Sequence, residues 1–145
     1  MNVLDIMTPK PTAICKTDSL SNALKIMEEK KTRHLIVVEA DGKLVGIISD
    51  RDCKEAMASP YAIYDSKRAD SFAQKILVQR IMTQTPICVS PQSSVQESAQ
   101  LMIEKHFNAL PVMQDGNVIG IITSTDLLKV LAQLQEIEIA KATSA

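Results

Sequence analysis

Two short segments place a hydroxyl side chain and a carboxylate at a spacing that could bind a ligand. They are residues 46–52 and 120–126, in which Ser49 precedes Asp52, and Thr123 precedes Asp126, by three positions. In each segment the hydroxyl ends an apolar run typical of a buried strand, and the carboxylate falls in the first turn of a predicted helix. Such a carboxylate can accept hydrogen bonds from a ribose diol, while the hydroxyl and the helix-terminal N–H groups can hold a phosphate.

The same spacing also has a purely structural explanation. A Ser or Thr followed three residues later by an acidic residue is a capping box, in which each side chain accepts a hydrogen bond from the other residue's backbone N–H. Acidic residues also suit the positive end of the helix dipole. The capping and binding interpretations are partly compatible, and the sequence leaves both open.

Other kinds of chemistry find little support in the sequence. The three cysteines (Cys15, Cys53 and Cys88) include no C-x-x-C pair and are typical of thiols in a reducing cytoplasm. No nucleophile–base cluster, P-loop, G-x-S-x-G or metal-finger spacing occurs. The 16 basic and 17 acidic residues give a net charge of -1, and no apolar run is long enough to span a bilayer. We therefore expect a cytoplasmic protein that is not an enzyme, with no nucleic-acid or membrane partner and no metal.

The two segments belong to an internal repeat. Residues 3–52 match residues 78–126 at an offset of 75 positions, which falls to 74 at Ala40, just before a predicted turn. The longest identities pair residues 6–8 (Ile-Met-Thr) with 81–83, and residues 46–48 (Gly-Ile-Ile) with 120–122. So many matches in order indicate two copies of one structural unit.

Each copy predicts the order strand, helix, strand, strand, helix, which is an α+β fold. Copy one has predicted strands at 12–15, 35–39 and 43–49, and copy two at 87–90, 109–114 and 117–123. The first helix of copy one has an apolar stripe that includes Leu20 and Met27, and that of copy two opens with the capping box Ser94–Glu97. The last helices are predicted to begin near Asp50 and Ser124. Asp115-Gly116 is a strong hairpin signal between the last two strands.

A copy of about 50 residues is too small to bury a core comfortably by itself. We therefore expect the β-α-β-β-α repeats to pack as a pseudo-two-fold pair, with ligand clefts at the seam. The predicted domains are repeat one at 1–58, a connector at 59–77, and repeat two with a C-terminal helix at 78–145. Pro60 is expected to end the last helix of repeat one. Three aromatic residues of the connector are expected to anchor it against the core, with stacking on a ligand as the alternative: Tyr61, Tyr64 and Phe72.

The repeated pattern, above all G-h-h-S/T-x-x-D in both copies, resembles the CBS domain, here as a tandem CBS pair or Bateman module. The resemblance covers about residues 3–134. The connector and the Asp50-Arg51-Asp52 sequence are also similar to acetoin-utilisation-type CBS proteins. The resemblance implies a regulatory adenosine ligand, such as AMP, ADP, ATP, S-adenosylmethionine or NAD, and no catalytic cofactor.

The resemblance also implies roles for individual residues. It assigns ribose binding to Asp52 and Asp126, and places Ser49 and Thr123 near the phosphate. The residues that open each first strand present backbone groups to adenine; these are Thr12, Ala13 and Ile14 in copy one, and Ile87 and Cys88 in copy two. Basic residues at the position of Arg33 and His34 often reach phosphate in the family.

The two copies are predicted to bind unequally. Copy one has Arg33, His34 and Arg51 where copy two has Asn108, Ala109 and Thr125. A guanidinium can hold phosphate through two charge-assisted hydrogen bonds, which Asn, Ala and Thr cannot reproduce. One site should therefore favour charged nucleotides, although the sequence leaves open which ribose site the cations face.

The leading functional hypothesis is a sensor that binds an adenosine nucleotide and passes the bound state to a partner protein. The alternative is a ligand-free dimerisation or docking module that keeps Asp52 and Asp126 as helix caps. An apolar stripe along the C-terminal helix, broader than one small module can cover, predicts a homodimer; it comprises Leu127, Val130, Leu131, Leu134 and Ile137.

Overall fold

A computed structural model of the protein describes residues 1–58 and 66–144, and of residues 66–68 it describes the backbone alone. The helices are α1 (Val3–Ile6), α2 (Leu20–Lys30), α3 (Asp50–Met57), α4 (Ser66–Lys75), α5 (Val78–Ile81), α6 (Val95–Lys105) and α7 (Ser124–Ser144). The strands are β1 (Thr8–Pro9), β2 (Ala13–Cys15), β3 (His34–Val38), β4 (Leu44–Ser49), β5 (Thr83–Gln84), β6 (Ala109–Gln114) and β7 (Asn117–Thr123). Pro60, Tyr61 and Tyr64 lie outside the described residues, whereas Phe72 lies half-buried in α4.

The chain forms two compact units that exchange the opening segments of the two sequence copies. The first-copy unit contains Pro11–Pro86, and the second-copy unit contains Met1–Lys10 with Ile87–Ala145. Helix α1 and strand β1, which open copy one, therefore fold with copy two. Helix α5 and strand β5, which open copy two, fold with copy one.

The first-copy unit is a four-stranded sheet in the order β2-β3-β4-β5, in which β2 and β3 are parallel and the other pairs antiparallel. Helix α2 begins at the Ser19 cap, whose side chain accepts a hydrogen bond from Asn22 N. Its predicted apolar stripe is buried, with Leu20 and Met27 in the core beneath β3 and β4. Lys31 follows the helix as its C-terminal cap and adopts a left-handed conformation.

The second-copy unit has the sheet order β1-β7-β6, with both pairs antiparallel. The strand predicted at 87–90 is reduced to one parallel bridge between Val89 and Val112. The reason is Pro111, which takes the position of Ile36 in copy one. Ile36 N donates to Thr12 O at 3.0 Å and extends the β2–β3 ladder, but proline has no N–H to donate.

The remaining predicted elements agree closely with the structure. Strands β6 and β7 have the predicted bounds, and β2, β3 and β4 differ from the prediction by a residue at one or both ends. Helices α3 and α7 begin at Asp50 and Ser124, as the sequence indicates. The α+β class and the two similar units are therefore confirmed.

The repeated Gly and Met-Thr motifs form one packing contact, made once in each unit. A Cβ added to Gly46 would lie 2.5 Å from Met82 Sδ and 2.9 Å from Thr83 O. A Cβ added to Gly120 would lie 2.5 Å from Met7 Sδ and 3.0 Å from Thr8 O. Only glycine fits beneath the exchanged segment at both positions, so these motifs serve packing.

Candidate functional site

In the first-copy unit, β4 ends at Ser49 and α3 begins at the next residue, so Ser49 caps the helix. Ser49 N donates to Asp52 Oδ2 at 2.8 Å, and Asp52 N donates to Ser49 Oγ at 3.0 Å. These reciprocal bonds form the capping box that the spacing predicts. Both residues are half-buried, so the box lies at the surface of the unit.

The second-copy unit repeats the arrangement with one added hydrogen bond. Thr123 N donates to Asp126 Oδ2 at 2.8 Å, and Asp126 N donates to Thr123 Oγ1 at 3.3 Å. In addition, Thr123 Oγ1 itself donates to Asp126 Oδ2 at 3.0 Å. The Thr123 hydroxyl proton is therefore engaged within the box. The Ser49 hydroxyl oxygen only accepts a hydrogen bond in its box, so the Ser49 hydroxyl proton is not used there.

Both carboxylates use one oxygen for the cap. All of their hydrogen bonds go to Oδ2, and among the side chains of residues 1–58 and 69–144 and the described backbone no donor reaches Oδ1 of Asp52 or Asp126. A carboxylate oxygen accepts up to two hydrogen bonds. The capping interpretation is therefore correct as geometry, and it leaves an acceptor on each carboxylate for a ligand.

The remaining candidate residues of copy one gather at the same end of their sheet. His34 pairs with Ser49 across β3 and β4, and Asp50 N donates to Arg33 O at 2.9 Å. Thr12 O, just before β2, accepts from Ile36 N in the neighbouring strand. The start of β2, the start of β3 and the end of β4 thus meet at the N-terminus of α3.

The corresponding residues of copy two meet in the same way. Ala109 pairs with Thr123, and Ser124 N donates to Asn108 O at 2.9 Å. Ile87 and Cys88 lie directly before the bridge at Val89, with Ile87 partly buried against the core and Cys88 exposed. Each unit therefore presents its own set of predicted residues at one sheet end.

Side-chain exposure separates the candidates into two kinds. Ile14 is 3% exposed and Ala109 8% exposed, so these side chains belong to the core and could offer a ligand only backbone groups. Arg33, Arg51, Asn108 and Thr125 are exposed, as is Ala13, whereas Thr12 is half-buried. Arg51 Nε lies 3.6 Å from Glu55 Oε1, an exposed pair one helical turn apart on α3. An exposed pair of this kind is weak, so Arg51 can exchange it for a phosphate.

His34 differs from the other predicted cations. Its pKa is lowered mainly because burial disfavours the charged ring, and Arg33 acts in the same direction. Asp50 and Asp52 oppose the shift. The ring is therefore uncharged at neutral pH, and it can donate or accept a single hydrogen bond at each nitrogen rather than attract phosphate as a cation.

Two further observations limit the chemistry of the described part of the chain. No group of three or more His, Cys, Asp or Glu side chains there could hold a metal ion. None of its helices has both the length and the apolar character required to cross a membrane.

Comparison with known proteins identifies the repeat. The CBS domain family model matches residues 3–59 and 78–133. A protein named as an acetoin utilization protein, AcuB, from Vibrio cholerae has a similar structure, with a TM-score of 0.75 and 31% identity over 97% of this chain and 96% of its own. CBSX2 in complex with AMP gives a TM-score of 0.72 at 28% identity over 92% of this chain and 98% of its own.

A third similar structure is the CBS domain pair of protein MJ0100, solved in complex with 5′-methylthioadenosine and S-adenosyl-L-methionine. It gives a TM-score of 0.78 at 28% identity, covering 92% of this chain and 97% of its own. The predicted tandem CBS organisation and its likeness to acetoin-utilisation-type proteins are thereby confirmed.

Proposed function

Because the chain belongs to the CBS domain family, we propose that it is a regulatory module that binds an adenosine nucleotide of the AMP, ADP or ATP type and passes the bound state to a partner protein. The ligands of the similar CBS structures share adenosine and differ in what its 5′ carbon carries. The shared part is what a ribose-binding carboxylate would recognise. The observation that carries the proposal is the matched pair of carboxylates, Asp52 and Asp126.

The capping box prepares each carboxylate for this role. Its hydrogen bonds fix Oδ2 against the backbone and leave Oδ1 to accept from a ribose hydroxyl. A side chain already held in place loses little conformational entropy when a ligand binds. Capping and ligand binding are therefore two uses of the same carboxylate.

We expect residues of copy one to give the protein its preference for phosphorylated ligands. The Ser49 hydroxyl proton can be donated to a phosphate oxygen, whereas the Thr123 proton is engaged with Asp126. Arg33 and Arg51 add positive charge that Asn108 and Thr125 do not. We propose that the residues of the first-copy unit favour phosphorylated ligands, and that those of the second-copy unit favour ligands with less phosphate.

Adenine recognition would use backbone groups at the start of each first strand. In the first-copy unit these are the groups of Thr12, Ala13 and Ile14. In the second-copy unit they belong to Ile87 and Cys88, and Pro111 removes the donor that the matching Ile36 provides to Thr12 O. The Ile87 carbonyl is therefore suited to accept a hydrogen bond from the adenine amino group.

The nucleotide would act as a regulatory ligand and not as a catalytic cofactor.

A homodimer would cover the C-terminal helix, where five large apolar side chains are 48–65% exposed: Leu128, Leu131, Leu134, Ile137 and Ile139. A second copy of the same helix has the matching apolar chemistry.

Cys15 and Cys53 are free thiols, which suits the cytoplasm that we propose as the location.

One alternative has an observation in its favour. The capping boxes give Asp52 and Asp126 a structural role that needs no ligand. A ligand-free dimerisation or docking module would keep both residues for that role. A thermal-shift screen with AMP, ADP, ATP, S-adenosylmethionine and NADH separates the two hypotheses. Stabilisation by one or more of these compounds supports the sensor, because a ligand that binds only the folded state raises its stability. No shift at millimolar concentration would support the docking module.

A further inference from the structure

An open cavity of about 610 Å³ lies in the first-copy unit, away from the Ser49–Asp52 capping box. Its wall includes Leu44 and Val45 at the start of β4, whereas Ser49 ends the same strand. Five residues of strand separate Leu44 from Ser49, a distance of about 17 Å. The cavity and the Ser49–Asp52 box are therefore at opposite ends of the sheet.

Backbone hydrogen bonds hold the walls of the cavity together. Gln79 N donates to Lys16 O at 3.0 Å, which joins helix α5 to the residue after β2. Glu39 N donates to Lys43 O at 2.9 Å and closes the β3–β4 hairpin. Thr85 N donates to Val45 O at 3.2 Å on the third side. The cavity is thus built from ordered elements on several sides.

The charged side chains of the cavity are mainly cationic. Lys16, Lys43 and Arg80 line it together with a single carboxylate, Glu39. Lys16 Nζ lies 3.4 Å from Glu39 Oε1, and the pair is partly exposed. Lys43 and Arg80 form no salt bridge with any residue in the described part of the chain. The cavity therefore has an excess of positive charge in a chain whose net charge is -1.

The sequence repeat shows that this charge is specific to one unit. The positions of copy two that match Lys16, Lys43 and Arg80 are occupied by Pro91, Asn117 and Asp5. The packing contact beside the cavity, Gly46 with Met82, is kept in both units. The fold therefore does not require the three cations, because the same architecture forms without them in the second-copy unit.

We propose that this cavity binds a small molecule carrying two or more phosphoryl groups, at a site separate from the Ser49–Asp52 box. Its volume lies within the roughly 300–1,000 Å³ typical of small-molecule sites. Arg80 can bind a phosphoryl group through two parallel hydrogen bonds, and the lysines add point charges. The near-balanced charge of the chain gives no general attraction for a nucleic acid. The proposal does not depend on the proposed adenosine function.

Isothermal titration calorimetry of the full chain with inorganic tripolyphosphate at low ionic strength tests the proposal. We expect a binding event that Lys43→Gln and Arg80→Gln each weaken by about 10-fold, the loss expected for a charge-assisted hydrogen bond. Glu39→Gln removes the competing carboxylate and should tighten binding. Lys25→Gln, on the exposed face of α2 outside the cavity, is the matched control and should bind as the native chain does.

Three outcomes would overturn the assignment. One is the absence of tripolyphosphate binding at millimolar concentration. Another is equal weakening by Lys25→Gln and Arg80→Gln, which would show non-specific attraction. The third is binding of a hexaglutamate peptide as tightly as tripolyphosphate, which would show a docking site for acidic protein segments. Asp52→Ala should leave tripolyphosphate binding unchanged, so failure of this proposal and failure of the adenosine proposal are distinguishable.

Discussion

The substitution Gly46→Ala tests whether the exchanged segment is held by the packing contact described above. The new Cβ would lie 2.5 Å from Met82 Sδ and 2.9 Å from Thr83 O. Favourable contacts between heavy atoms lie at about 3.5–4.0 Å, so both neighbours would have to move by about half an ångström or more. The sulfur belongs to a flexible side chain and can move. The carbonyl belongs to the backbone of β5, where Thr83 pairs with Ile47 of β4, so it is held in place by the sheet.

Overpacking of a well-filled core costs about 1–3 kcal/mol. For a chain of this size we expect the midpoint of thermal unfolding to fall by about 3–10 °C. Gly120→Ala should have a similar effect, because its Cβ would meet Met7 Sδ at 2.5 Å and Thr8 O at 3.0 Å. Gly42→Asn is a comparison for backbone strain without overpacking, since Gly42 has open space around its Cβ position and a φ of 87° that side chains rarely adopt.

Urea unfolding followed by circular dichroism measures the free energy of unfolding of these variants. The double variant Gly46→Ala/Met82→Ala should be more stable than the sum of the single effects predicts, because removal of the thioether leaves room for the new methyl group. Additive effects, or a Gly46→Ala variant as stable as the native chain, would refute the contact.

Three further predictions follow from the site and the core. Burial raises the pKa of Cys53 to about 12, above its ordinary value of 9.0, so the free energy of unfolding should fall as pH rises from 9 towards 12, by at most about 1.4 kcal/mol per pH unit. Urea unfolding at pH 8 and pH 10 should show this loss in the native chain and a smaller loss in Cys53→Ala, whereas equal losses would contradict the prediction. Arg33→Ala should reduce the preference for AMP and ATP over adenosine in calorimetry, while two equivalent sites indifferent to phosphate and to Arg33 would refute unequal binding. Light scattering should give a dimer mass that Leu131→Lys lowers towards 15.9 kDa, whereas a monomeric native chain at high concentration would rule out the proposed dimer.

Local signals made most of the fold predictable. The β6–β7 hairpin follows from Asp115-Gly116, and both residues adopt the positive φ angles that this turn requires. Helices α3 and α7 begin where a hydroxyl residue ends an apolar run, because that residue caps the helix. In these segments the signals that predict the structure lie within a few residues of one another.

Non-local pairing made the rest harder to predict. The strand expected at 87–90 depends on a backbone N–H donor at position 111, where the sequence has Pro111. The apolar pattern of residues 87–90 contains no information about that distant residue. The exchange of opening segments places Met82 over Gly46, two residues of different copies. A repeat in sequence does not specify which copy completes which sheet.

The candidate site was predictable in its residues but not in its hydrogen bonds. The spacing of Ser49 and Asp52 predicts both a cap and a ligand site, and only side-chain geometry shows that the cap uses Oδ2 alone. The difference between the Ser49 and Thr123 hydroxyl protons also depends on rotamers. The uncharged state of His34 depends on burial, which arises from the folded unit as a whole.

We propose that Asp52 and Asp126 bind an adenosine ligand as well as capping their helices. The most direct measurement is calorimetry with AMP on the native chain, Asp52→Ala, Asp126→Ala and Glu97→Ala. Glu97 closes a capping box of the same form with Ser94, so Glu97→Ala controls for the loss of a cap. We predict that Asp52→Ala and Asp126→Ala each weaken binding at their own site by about 10- to 150-fold, while Glu97→Ala loses stability and keeps its affinity. No AMP binding by the native chain, or unchanged affinity in both aspartate variants, would contradict the claim.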